Sequence, residues 1–121
     1  MKTILFIEDE PILQKALGST LSAAGYKILQ AFDGDAGLLM AKKEKPDLVL
    51  LDLVLPRKHG LEVLKELKED QKTLSIPVIV LTNLEGTEDV MQALELGAKT
   101  YLVKANYSIK DVLEKIREAL S

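Results

Sequence analysis

The chain has 121 residues, no cysteine and a formal net charge of −3, which fits one domain with no disulfide, cysteine-bound metal, iron–sulfur or thiol chemistry. That charge argues against direct nucleic-acid binding, which needs clustered Lys and Arg, and no apolar run approaches bilayer-spanning length. Glu8 and Asp9 cut the apolar stretch that follows Thr3 to four residues, so the N-terminus does not read as a signal peptide and a cytoplasmic, non-membrane protein is expected.

Ile4-Leu5-Phe6-Ile7 reads as a first strand, ending at Glu8-Asp9-Glu10. Pro11 suits a first helical turn, and Leu13, Leu17, Leu21 and Ala24 recur at helical spacing, so a helix is predicted from about Pro11 to Ala24, stopped by Gly25. Tyr26 to Phe32 is a weaker second strand, and Asp33-Gly34 is a turn signal. A second helix is predicted over about Asp35 to Glu44, with Leu38, Leu39 and Ala41 for its buried face. After Pro46, Leu48-Val49-Leu50-Leu51 leads straight into Asp52 and reads as a strand buried on both faces. Pro56 and Gly60 mark a loop, and Leu61, Leu64 and Leu67 set out a third helix. Val78-Ile79-Val80-Leu81 is a fourth strand ending at Thr82. Thr87 is expected to cap a fourth helix with Glu88 and Asp89 in its first turn and Val90, Ala93 and Leu94 on its buried side. Thr100 to Val103 is a fifth strand ending at Lys104, and Ser108 with Asp111 predicts a capping box for a last helix.

Five βα units of about 20 to 25 residues imply a parallel sheet with right-handed crossovers. In such a sheet the C-terminal strand ends share one edge, where open α/β sheets bind ligands. That edge receives Glu8 and Asp9, Asp52, Thr82 and Lys104. Each has a plain alternative: Asp9 as a helix-entry acid, Thr82 as a strand end, Lys104 as a surface charge. Together they carry more, because three carboxylates in one cleft repel unless a cation or proton intervenes. Oxygen ligands without His or Cys point to Mg²⁺. A hydroxyl and an ammonium on the other side suit an anion with several oxygens, such as a phosphoryl group.

On Glu8-Asp9, the Leu48–Asp52 run with Pro56 and Gly60, Thr82, Gly97-Ala98 with Tyr101, and Lys104, the chain resembles a receiver domain of the two-component response regulators over its whole length, residues 1–121. The resemblance implies a single doubly wound, flavodoxin-like α/β sheet in strand order 2-1-3-4-5. It implies that Asp52 accepts a phosphoryl group from a histidine kinase or histidine phosphotransfer protein. Mg²⁺ would be held by Asp9, Asp52, the backbone carbonyl of Val54 and, through water, Glu8. Lys104 would pair with Asp52 and then with a phosphoryl oxygen. Thr82 would bond the phosphoryl group and move on its arrival, and Tyr101 would change rotamer with it. The fourth helix, fifth strand and last helix would face an output domain, a protein target or a second copy of the chain. Such a protein catalyses its own phosphorylation and slow dephosphorylation but turns over no external substrate.

Some positions depart from the family. Ala105 follows Lys104 where proline is usual, which argues against a cis peptide there. Asn83 stands where a small residue is usual and either covers the phosphoryl site or points outward. Val54 and Leu84 are apolar and cannot orient an attacking water, so slow phosphate loss is expected. Lys99-Thr100 replaces acidic residues that pair across many receiver dimers, which counts against that dimer mode. His59, the only histidine, reads as a solvated loop residue, and Ile12 as a kinase contact rather than core. An aspartate-nucleophile phosphatase would want an acid at position 54, and a P-loop is absent, since Gly97-Ala98-Lys99-Thr100 lacks the required glycines. A pseudo-receiver that only binds protein is the remaining alternative.

Overall fold

The central strands are apolar at every position but the first of β1 and the last of β4, because helices cover both of their faces. The computed structural model describes residues 1–121. The strands are β1 (Thr3–Ile7), β2 (Lys27–Ala31), β3 (Leu48–Leu51), β4 (Val78–Thr82) and β5 (Thr100–Val103). They alternate with α1 (Pro11–Ala23), α2 (Gly34–Glu44), α3 (Gly60–Glu69), α4 (Thr87–Glu95) and α5 (Ile109–Leu120). All pairings are parallel and the order is β2-β1-β3-β4-β5, as the resemblance implied.

Alternation divides the core in two. Leu5, Ile7, Val49, Leu51, Val78 and Val80 face one side and pack with Leu38 and Ala41 of α2, Val63, Leu64 and Leu67 of α3, and Ala93 of α4. Ile4, Phe6, Leu48, Leu50, Ile79 and Leu81 face the other, against Leu17 and Leu21 of α1 and Val112 and Ile116 of α5. The register pairs Ile7 with Leu51 and Thr82 with Val103, so β1 ends level with β3 and β4 with β5. β2 is one of the two edge strands, which is why Lys27 and Gln30 stay exposed and its apolar pattern is weak.

Three local expectations fail. Leu39 is 68% exposed, not buried. A β-carbon at Gly37 would lie 2.5 Å from Ile7 Cδ1, so α2 approaches β1 on its Gly37–Leu38–Ala41 face and Leu39, about 100° further round the helix, turns to solvent. Thr87 does not cap α4: Gly86 occupies the N-cap and no side chain bonds there. Leu94 is exposed and Ala93 is the one fully buried residue of α4. Asp33 does more than turn the chain, since its Oδ1 accepts from the Ala36 N–H at 2.8 Å and caps α2. Ile12 is 84% exposed and forms no part of the core.

The capping box at α5 is present. Ser108 Oγ accepts from Asp111 N at 3.1 Å and Asp111 Oδ2 accepts from Ser108 N at 3.2 Å. Ser108→Ala is expected to cost about 1 kcal/mol of stability, read as a lower denaturant midpoint with unchanged slope. A change below about 0.3 kcal/mol would mean that burial of Val112 and Ile116 holds the helix without its cap.

Candidate functional site

The acidic segment after β1 is fixed by backbone before any side chain acts. Glu8 N–H donates to Ala31 O at 3.0 Å, and Asp52 N–H donates to Ile7 O at 3.0 Å, carrying the ladders one residue past the strands. Gln14 of α1 is buried and its amide lies 3.0 Å from the carbonyls of Phe6, Glu8 and Ala31. Gln14 falls on the Leu17–Leu21 face of α1, and a lone polar residue in that apolar stripe is the one sequence signal that could have found it. On the other side, Gly60 N–H donates to Leu53 O at 2.9 Å. A β-carbon at Gly60 would sit 2.4 Å from the Asp52 carbonyl oxygen, so only glycine lets α3 start this close behind Asp52.

Four of the expected residues meet. Carboxylate oxygens of Glu8, Asp9 and Asp52 lie within 4.8 Å of one another. Lys104 Nζ lies 3.0 Å from Asp52 Oδ2, 2.7 Å from Glu8 Oε1 and 3.0 Å from Glu10 Oε1. The third partner, Glu10, was not anticipated. Val54 N–H donates to Asp52 Oδ1 at 3.2 Å, and its side chain is half exposed. Asp9, Glu10, Asp52, Val54, Asn83 and Lys104 line a cavity of about 360 Å³, so Asn83 stands on the wall of the site. A larger cavity of about 730 Å³ lies between α1 and β2 and contains no acidic residue, so size alone does not find the chemistry.

Thr82 is fully buried at the end of β4 and is absent from the cavity wall. Its Oγ1 accepts a long bond, 3.5 Å, from Leu84 N–H, while Leu84 O accepts from the Tyr101 hydroxyl at 2.7 Å. The backbone of Leu84 therefore joins Thr82 to Tyr101, a link no side-chain pattern discloses. Burial, with Asp89 and Asp52 nearby, pushes the Tyr101 phenol above its usual value, so it remains a donor. Lys104 to Asn106 form a single 3-10 turn and no peptide bond is cis. His59 is exposed, as expected, and its Nδ1 also accepts from Leu61 N–H at 3.1 Å, capping α3.

Electrostatics single out Glu8. Burial pushes its carboxyl up to about 7; Lys104 opposes this and the Asp52 charge adds to it. Burial pulls Lys104 down, but hydrogen bonds and charge from Glu8, Asp52 and Glu10 outweigh it and hold the ammonium above its ordinary range. Glu8 Oε1 is fully buried, and the Lys104 ammonium 2.7 Å away is its one partner. Three converging carboxylates with no nitrogen or sulfur ligand among them fit a hard divalent cation.

Residues 4–117 match the family model described as the response regulator receiver domain. The chain is 38% identical over 120 residues to the DNA-binding dual master transcriptional regulator RpaA of Synechocystis sp., covering 99% of this chain and 49% of that protein. It is 36% identical over 104 residues to the protein PilH of Pseudomonas aeruginosa, covering 86% of each. Its fold superposes on the BeF3-activated N-terminal receiver domain of Klebsiella pneumoniae RstA with a TM-score of 0.89 at 30% identity, covering 98% of this chain and 97% of that one. The chain thus spans about half the length of the first curated relatives it matches.

Proposed function

The chain belongs to the response regulator receiver family, and from that premise we propose that it is a phosphorylation-activated signalling switch whose acceptor is Asp52. One observation carries the reading: Lys104 bridges Asp52 and the buried Glu8 beside three carboxylates within 4.8 Å of one another. A carboxylate oxygen of Asp52 attacks the phosphorus of a phosphohistidine on a histidine kinase or phosphotransfer protein. The new O–P bond forms as the P–N bond breaks, and the electron pair leaves on the imidazole nitrogen. Lys104 neutralises a phosphoryl oxygen as the transfer proceeds. Glu8, Asp9, Asp52 and the Val54 carbonyl would hold Mg²⁺, which when bound offsets charge on the phosphoryl oxygens.

Thr82 turns towards the new phosphoryl group, and because Leu84 ties it to Tyr101 the movement reaches β5. The α4–β5–α5 face then contacts an output domain, a protein target or a second copy of the chain. Met91 and Leu94, both exposed on α4, supply apolar surface for that contact. Ile12 is the matching candidate for the kinase side. A cytoplasmic location, and the absence of external substrate turnover, belong to the same proposal.

The test is the intact mass of the protein after incubation with phosphoramidate and Mg²⁺. One added phosphoryl mass, missing in Asp52→Asn, supports the switch. No adduct from small donors or any kinase would mean a protein-binding module, and steady turnover of a phosphate ester would mean a hydrolase. Val54 lines the cavity with an apolar side chain that cannot orient water, so the phosphoryl group should persist. Val54→Asn is expected to shorten its half-life about three- to tenfold, short of the ~10²-fold of a fully positioned base. A wild-type half-life of seconds, measured by mass after donor removal, would refute this.

A further inference from the structure

Glu10 breaks a local rule. It is the N-cap residue of α1, a position that favours Ser, Thr, Asp and Asn, whose short side chains reach the first free N–H groups. Glu10 makes no such bond. Its N–H donates to Glu8 Oε2 at 3.1 Å, and its carboxylate crosses the cleft to Lys104 Nζ at 3.0 Å. Rules broken without local gain tend to mark function.

The ammonium of Lys104 has three donors, and three carboxylates already surround it. A phosphoryl oxygen can gain one of those donors only if a carboxylate gives it up. Glu8 is fully buried and would lose its only cation without gaining water. Asp52 is the reacting group. The Glu10 side chain is 57% exposed and can swing into solvent. Resting on the switch reading above, we propose that Glu10 is a displaceable counter-ion that holds Lys104 in the resting site and competes with the incoming phosphoryl group for it. Standing on the cavity wall beside Asp52 and Asn83, it also sets a negative charge in the path of anionic donors. Glu10 is thus a positioning residue that raises the donor concentration needed to load Asp52 and so favours a docked protein donor over small free ones.

The experiment follows phosphoryl addition by intact mass over a range of acetyl phosphate concentrations with Mg²⁺, in which Asp52 forms the O–P bond and acetate leaves. Glu10→Gln is expected to lower the half-saturating donor concentration about two- to fivefold at low salt, the range of an exposed ion pair, with little change in the limiting rate. The difference should close as salt rises. Glu10→Asn, which is neutral but a better cap, should shift donor saturation equally while melting at a different temperature. An unchanged or raised half-saturation, a shift that persists at high salt, or two variants that differ in saturation as they differ in melting overturns the proposal. If neither the wild type nor the Glu10 variants gain phosphoryl mass from acetyl phosphate or from any kinase, the switch reading falls and the Glu10 proposal with it; a labelled wild type with unaltered variants removes Glu10 alone.

Discussion

Lys104→Met is expected to remove about 3 kcal/mol of stability from the metal-free protein at pH 8 and to abolish efficient loading of Asp52. Methionine keeps the stem and removes the charge. Glu8 is fully buried and Asp52 nearly so, and both lose the ammonium that sits 2.7 and 3.0 Å from them. Breaking a buried pair from one side costs ~3–5 kcal/mol, and the lower end applies because Asp52, unlike Glu8, lines the open cavity. Urea melts at pH 8 with chelator give the number. The double variant Lys104→Met/Glu8→Gln should recover about half of the loss, since one of the two stranded charges is gone. A loss under about 0.5 kcal/mol, the size of an ordinary surface change, would mean that Lys104 does not hold the site together.

Glu8→Gln should do the reverse. The Glu8 carboxyl is raised from 4.5 to about 7 in the folded chain, chiefly by burial. A raised carboxyl binds its proton more tightly folded than unfolded, so its stabilising contribution is complete below pH 4.5 and is lost as pH climbs through 7. At ~1.4 kcal/mol per pKa unit, the ionised form costs about 3 kcal/mol by pH 8. The amide carries no such cost, so Glu8→Gln should be about 2–3 kcal/mol more stable than wild type at pH 8, with the gap narrowing to about 1 kcal/mol at pH 5. Divalent cation should stabilise the wild type at pH 8 and do much less for the variant, because the ion binds the ionised carboxylate. Denaturant titrations from pH 5 to 8, with chelator and with Mg²⁺, check both statements. A flat wild-type profile, or a variant weaker than wild type at pH 8, would show that burial of Glu8 carries no such cost.

The sheet and much of the site were legible in the sequence for a single reason. Strands buried on both faces leave unbroken runs of Leu, Ile and Val, and the residue that ends each run is delivered to a shared edge. Glu8, Asp9, Asp52 and Lys104 were placed that way and the structure brings them together. What escaped depends on contacts the pattern does not encode. Leu38 and Leu39 look alike in sequence, and only the close approach at Gly37 decides which one is buried. Glu10 reads as one more acid at a helix start until Lys104 is seen beside it. Gln14 shows in the sequence as a polar residue in an apolar stripe, but nothing there shows that its amide sits 3.0 Å from three carbonyls. Leu84 acts through its backbone, and its side chain only helps to fill the core.

The measurement that bears most directly on the switch is chemical mapping of the label. The protein is loaded with acetyl phosphate and Mg²⁺, the acyl phosphate is reduced with borohydride, which converts the acylated aspartate to homoserine, and the peptides are sequenced by mass. The geometry around Lys104 predicts that Asp52 alone is converted. A phosphoryl adduct that leaves Asp52 unreduced, or that maps to His59 or any other residue, would contradict it.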